Sequence, residues 1–331
     1  MNLSLPQFFL MGGTDMNYPY ANGVIKSIEG NLLDRVKLSK LAKTDKSDFV
    51  PALIALGYGN GVVQDQLLDV INNELVSLKK LLQEISPEPQ YTDLFYMTYD
   101  AMNLKVLYKE KFFGVTRPDT LSKMGAIDID LLQEAYSTHD YSQLPKVYQS
   151  MLIKLEKNVT EIDNPRKLSA AIDNHVFTFV FKAIRGSQGG ALKSYFQAFV
   201  DFANVITLLR SRVLLWEPEV VKDMLINGGK IPLSVFEAAY LELGDHFARS
   251  FLDYYEEKIT RALKKYQESP NLDKLERTFD SLTLEIVSKF RFDAFGIGPI
   301  IYYFLKKLAE AKTIRRIYTE SLTDISDLLE I

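Results

Sequence analysis

The chain contains no cysteine in 331 residues, so neither a disulfide nor a thiolate metal site is available to it, and a reducing cytoplasm is compatible with the sequence. Histidine is scarce as well. His139, His175 and His246 stand alone, with no His-Glu-x-x-His pair that would place two imidazoles on one helix face for zinc. Long apolar runs are missing: the longest, Phe295 to Leu305, is about half of what a transmembrane helix requires, so no bilayer span is expected. A basic excess is missing too. With 39 Lys and Arg against 43 Asp and Glu, the formal net charge is −4, which argues against a surface that tracks nucleic-acid phosphates. The first 15 residues lack the basic start of a secretory signal, and residues 1–15 read as a leader, a tag remnant or a mobile extension ahead of Met16.

Catalytic motifs are absent in the same way. Gly186-Ser-Gln-Gly189-Gly190-Ala-Leu-Lys193-Ser194 resembles a phosphate-binding loop, but Ala191 and Leu192 break the Gly-Lys-Ser triplet. Gly57-Tyr-Gly59-Asn-Gly61 lacks the third glycine at the dinucleotide spacing. Asp128 and Asp130 form no aspartate-rich metal box, and no nucleophile has an identifiable base and orienting acid. The expectation is a protein with no catalytic residue, no cofactor and no metal.

What the sequence does hold is helical periodicity. Val63, Leu67, Val70, Ile71, Leu75, Leu78, Leu81, Leu82 and Ile85 recur at spacings of three and four, which defines one buried helical face. Similar stripes cover about 91–112, 165–184, 191–213, 245–267, 272–290 and 298–318, and prolines and glycines fall between them. His175 to Phe181 alternates enough to imitate a strand, yet its flanks place it in a buried helix. The fold class is all-α.

A segment then recurs about every hundred residues, each time as an acid, two spacers and a polar residue opening an apolar stretch. It reads Asp100-Ala-Met-Asn103-Leu-Lys-Val-Leu107, Asp201-Phe-Ala-Asn204-Val-Ile-Thr-Leu208 and Glu310-Ala-Lys-Thr313-Ile-Arg-Arg-Ile317, with acids 101 and 109 residues apart. Gly125-Ala-Ile127 follows the first copy and Gly229-Lys-Ile231 the second, 104 residues apart, and Gly30-Asn-Leu32 echoes the glycine half near the N-terminus. Duplication is the economical explanation. It predicts three similar helical bundles bounded at 16–115, 116–216 and 217–331, with the terminal parts of the chain completing one of them together.

The recurring acid has two readings. As a structural group it complements a helix N-terminus while the Asn bonds backbone or a neighbouring helix; as a functional one, Asp100, Asp201 and Glu310 converge on an axis. The structural reading is favoured, because groups repeated once per bundle are otherwise far apart. Past the acid-led helices lie Phe112-Phe113 and Leu214-Leu215-Trp216 at matching positions. These large apolar side chains are candidate partner anchors, and the alternative is that they are covered by the short helices after Pro118 and Pro218. The basic cluster Lys306, Lys307, Lys312, Arg315 and Arg316 is read as structural or partner-facing.

In their order, Tyr20-Ala-Asn-Gly-Val-Ile-Lys-Ser-Ile-Glu-Gly30-Asn-Leu-Leu33, the two Asp-x-x-Asn helices, and Phe295-Gly-Ile-Gly298-Pro-Ile-Ile-Tyr-Tyr-Phe-Leu-Lys-Lys with Ile314-Arg-Arg-Ile317 give the chain a family likeness. From Met16 onward it resembles the C subunit of bacterial and archaeal V-type (A-type) ATPases, itself similar to the d subunit of the eukaryotic vacuolar proton pump. It departs from the common pattern at Gly23, Ile25 and Thr313. The resemblance implies three helical bundles arranged as a pseudo-three-fold funnel, peripheral on the cytoplasmic face of the membrane. It implies a non-catalytic part that couples central-stalk subunits of the D and F type to the proteolipid rotor ring during H⁺ or Na⁺ transport or ATP synthesis. A helical-repeat adaptor unrelated to ATPases is the alternative, and open-ended stacking would distinguish it.

Overall fold

The computed structural model describes residues 17–59, 66–115, 120–184, 190–242 and 244–320. Residues 1–15, Val63, Pro118 and most of the Gly186 loop lie outside them. Among the described residues there is no strand, and the backbone is a succession of helices and turns. In chain order these are α1 (Tyr18–Ile28), α2 (Arg35–Ala42), α3 (Phe49–Ala55), α4 (Leu67–Ile85), α5 (Pro89–Thr92), α6 (Met97–Phe113), α7 (Ile129–Thr138) and α8 (Lys146–Val159). There follow α9 (Pro165–Ile184), α10 (Gly190–Val213), α11 (Pro218–Met224), α12 (Leu233–Leu241), α13 (Asp245–Arg249), α14 (Lys258–Glu268), α15 (Leu272–Ser288) and α16 (Gly298–Glu320).

The starts of these helices are written locally. Asn17 accepts from the Tyr20 amide at 3.0 Å, Asp34 from Lys37 at 2.8 Å, and Asn271 from Lys274 at 2.8 Å. Each such cap satisfies an amide that the helix leaves without a partner, worth about 1 kcal/mol. At the other end, α6 stops on Gly114, whose φ of +67° is a conformation that glycine adopts without steric cost.

The chain divides into two compact units, one drawn from Met1–Thr92 with Leu284–Ile331, the other from Asp93–Thr283. In the first, the apolar stripe of α4 is buried, and α4 and α1 both lie against α16. In the second, α9 lies against α6, α8, α10 and α11, and α10 is further covered by α12. His175 to Phe181 is helical within α9, with Val176, Phe177 and Val180 buried.

Two stripes are not single helices: 91–112 crosses from α5 through a 3-10 turn at Asp93–Tyr96 into α6, and 245–267 is broken as well. The periodicity of 245–267 predicts one element, but α13 ends at Arg249 and α14 begins only at Lys258. Between them Tyr255, Glu256 and Glu257 all take positive φ, at 53°, 55° and 61°. A left-handed run of three L-residues costs about 1–2 kcal/mol per residue. It is held by the far end of the Tyr255 side chain, whose hydroxyl reaches Asp201 on α10.

Candidate functional site

Asp100 and Asn103 sit three residues apart on α6 and therefore share one face of it. Both are buried. Asp100 Oδ2 accepts from the Ala126 amide at 2.8 Å and Oδ1 from Ile127 at 3.2 Å. Asn103 bonds Ser122 twice, donating to its carbonyl at 2.9 Å and accepting from its amide at 2.8 Å. One helix face thus fastens the whole 122–127 loop.

The second copy repeats the arrangement on α10. Asp201 accepts from the Lys230 amide at 2.8 Å and the Ile231 amide at 3.2 Å, and Asn204 bonds both backbone groups of Ile226 at 2.9 Å. Two additions reinforce it. The Tyr255 hydroxyl donates to Asp201 Oδ2, and Asn174 on α9 donates to the Leu225 carbonyl and accepts from the Asn227 amide, both at 2.9 Å. Burial pushes the Asp201 carboxyl up to about 6, against the opposing pull of the Tyr255 hydroxyl, the two amides and the Lys230 charge.

Glycine is required at one point in each loop. A Cβ on Gly125 would stand 2.2 Å from Asp100 Oδ1, and one on Gly229 would stand 1.9 Å from Asp201 Oδ1. The carboxylate reaches the next two amides only because nothing projects from the residue before them.

The third copy is built differently. Glu310 on α16 accepts from the Leu33 amide, three residues past Gly30, so the last acid fastens the N-terminal glycine segment. Its longer side chain leaves Gly30 clear, with no atom within 4 Å of a notional Cβ. Lys307, one turn earlier on α16, is buried with its Nζ 2.7 Å from both Glu310 and Glu74. Glu74 in turn accepts from the Gly59 amide at 3.0 Å. Burial raises the Glu310 carboxyl above its ordinary range, with Lys307 and the Leu33 amide opposing and Glu74 adding to the rise. Thr313, in the Asn position, bonds back to Ala309 in its own helix at 2.9 Å.

The dipole argument therefore fails for two of the three acids. Asp100 lies in the first turn of α6, but Asp201 and Glu310 lie mid-helix in α10 and α16. Their partners are loop amides, and it is those amides that fix an acid at each position. Of the basic cluster, Lys307 belongs to the buried triad, while Arg316 pairs with Glu320 one turn on.

Tyr255, Glu74 and Asn174 belong to none of the motifs read from the sequence, and Lys307 is legible there only as a member of the basic cluster. A signal for the tyrosine exists: Tyr58, Tyr148 and Tyr255 follow Gly30, Gly125 and Gly229 by 28, 23 and 26 residues. Tyr58 lies in the field of Glu310 and Glu74, and Tyr148 in that of Asp93 and Asp100; burial first and these carboxylates second raise both phenols above their ordinary range.

The candidate anchors fall into different settings. Phe112 and Phe113 are half-buried at the end of α6, with Phe112 against Tyr108 at 5.7 Å between ring centroids. Trp216 is half-buried under the Arg166 guanidinium, 4.6 Å from its ring centroid. Leu214 and Leu215 are exposed. Lys193, at the end of the glycine-rich segment that resembles a phosphate loop, is exposed in the first turn of α10.

A profile of the family described as ATP synthase (C/AC39) subunit matches residues 21–320. The C subunit of the A-type ATP synthase of Methanocaldococcus jannaschii is 24% identical over 332 residues, covering 91% of this chain and 82% of the relative. The C subunit of the V-type sodium ATPase of Enterococcus hirae is 21% identical over 311 residues, covering 91% and 92%. The C subunit of the A-type ATP synthase of Methanosarcina mazei is 22% identical, covering 95% and 91%.

Proposed function

The chain belongs to the ATP synthase (C/AC39) subunit family, and from that premise we propose that it is the non-catalytic coupling piece of a rotary ATPase. It joins central-stalk subunits of the D and F type to the proteolipid ring and passes torque between them. It sits on the cytoplasmic face of the membrane as a peripheral component. No described helix is long and apolar enough to cross a membrane, in keeping with that place.

The observation that carries the reading is the pair of carboxylate-and-amide cages on α6 and α10, with the charged variant on α16. A part that transmits torque must not yield internally, and buried charge-assisted hydrogen bonds from helix to loop resist sliding of one element on another. Three repeat units, 16–115, 116–216 and 217–331, would give three such fixings. The transported ion belongs to the ring; the name of the Enterococcus relative speaks of sodium.

Reconstitution tests the reading. Stalk subunits should be retained on the purified ring only when this chain is added, and ATP hydrolysis by the head should then drive ion movement. Equal retention without the chain would overturn it. The isolated chain should neither bind nor hydrolyse ATP, and saturable calorimetric binding abolished by Lys193→Ala would overturn the non-catalytic assignment.

A further inference from the structure

Helix α10 ends in a hydrogen-bond pattern that ordinarily calls for glycine. The Leu215 amide donates to Arg212 at 3.2 Å and the Trp216 amide to Ser211 at 3.0 Å, the paired bonds of a Schellman terminus. The residue between the two closures takes a left-handed conformation, and here it is Leu215 with φ +52°. Its side chain is 87% exposed. A leucine that strains the backbone and gains no burial within its own chain is unexplained by folding alone.

The segment is nonetheless held firmly from behind. The Tyr240 hydroxyl donates to the Trp216 carbonyl at 2.6 Å, and Arg212 donates to the carbonyls of Ala239 at 2.6 Å and Tyr240 at 2.9 Å, binding the end of α12 to the end of α10. Leu241, 68% exposed, stands at the end of α12 that Arg212 holds, and Val213 and Leu214, 69% and 56% exposed, stand at the end of α10. The cations close by are engaged: Arg166 on the Trp216 ring, Arg210 with Glu276, and Arg212 on the carbonyls. Glu217 and Glu219, just past Trp216 in sequence, and Glu242, just past Leu241, are all exposed. The result is a rigid aliphatic knob with an acidic border.

We infer that Leu215, flanked by Val213, Leu214 and Leu241, docks into an apolar pocket bordered by lysine or arginine on the cytoplasmic loops of the membrane ring. This deepens the proposed function and rests on it. Cytoplasmic loops of helical membrane proteins carry an excess of Lys and Arg, so an acid-bordered knob is complementary to them, and such a border sets orientation and association rate. The strained leucine is the anchor, and its fixed backbone lowers the ordering cost of docking.

The test captures detergent-solubilised ring and, separately, stalk subunits on the immobilised full-length chain. Leu215→Gly removes the knob and relieves the left-handed strain. It should hold or raise the thermal midpoint while weakening ring capture at least tenfold and leaving stalk capture unchanged. Glu217→Gln with Glu219→Gln should slow ring association and flatten its salt dependence. Ring capture by Leu215→Gly equal to that of the unmodified chain overturns the inference alone. Loss of stalk capture with ring capture kept overturns the choice of partner. Failure of the unmodified chain to capture ring at all overturns the coupling function as well.

Discussion

Gly229 and Asp201 are fitted to each other: a Cβ on the glycine would stand 1.9 Å from Oδ1 of the aspartate. The same fit joins Gly125 to Asp100 at 2.2 Å. No flexible side chain can retreat there, because the carboxylate is pinned by the next two amides. Gly229→Ala and Gly125→Ala should each lower unfolding stability by about 2–3 kcal/mol. Gly30→Ala, at the corresponding sequence position but with open space around it, should change stability by less than about 0.5 kcal/mol. Urea midpoints of the three variants decide the matter, and equal losses at all three positions would contradict the cage geometry.

Asn103 and Asn204 each satisfy both backbone groups of one loop residue. Replacement by Leu leaves a donor and an acceptor without partners, which costs about 2–4 kcal/mol. Amide exchange at Ser122 in Asn103→Leu, and at Ile226 in Asn204→Leu, should accelerate well beyond that of neighbouring helices. Thr313→Val loses a bond within its own helix and should cost less than about 1 kcal/mol.

Asp201 supplies a pH dependence. Its folded value of about 6 exceeds the unfolded value of about 3.9, so the folded chain holds this proton more tightly. The stabilisation from that proton is full below the unfolded value and is lost as pH rises through about 6. Relative to Asp201→Asn, which does not titrate, the unmodified chain should lose about 2 kcal/mol of unfolding free energy between pH 4.5 and 7. Tyr255→Phe removes a donor that lowers the value and should shift this loss to higher pH. Parallel stability curves for the unmodified chain and Asp201→Asn would show that the carboxylate is not held up by burial.

Lys307 offers a test of the third junction. Lys307→Met leaves Glu74 and Glu310 buried together without their shared cation, and stability at neutral pH should fall by about 3–5 kcal/mol. Adding Glu310→Gln should return part of this, since one of the two buried charges is then gone. If the double variant is no more stable than Lys307→Met, the three side chains are not coupled.

Much of the fold is legible in the sequence because local rules and tertiary demands agree. The three-and-four spacing of α4 and the polar caps at Asn17 and Asp34 are decided by neighbours within one or two turns. The recurrence of Asp-x-x-Asn with a downstream glycine is legible too, as a pattern. Its meaning is not: the dipole explanation holds only for the placement of Asp100, because the sequence does not reveal that α10 and α16 begin a dozen residues before their acids. The break inside 245–267 is hidden for a related reason. The apolar periodicity continues across it, and the left-handed turn is held by tertiary contacts, the Tyr255 hydroxyl on Asp201, 54 residues away in sequence, and the Tyr255 ring against Phe202.

By itself the sequence determined an all-helical chain built on a recurring acid-and-amide signature, without thiols and without a recognisable catalytic motif, since composition and periodicity are properties of neighbours. The tertiary structure decided which partner each acid takes. It separated the glycines that must be glycines from Gly30, it turned Lys307 from one member of a basic cluster into the centre of a buried triad, and it left Leu215 in solvent while half-covering Trp216. Those outcomes depend on distances of a few ångströms between residues tens to hundreds of positions apart, where hydrogen-bond geometry and desolvation are set by packing and carry no local sequence signal.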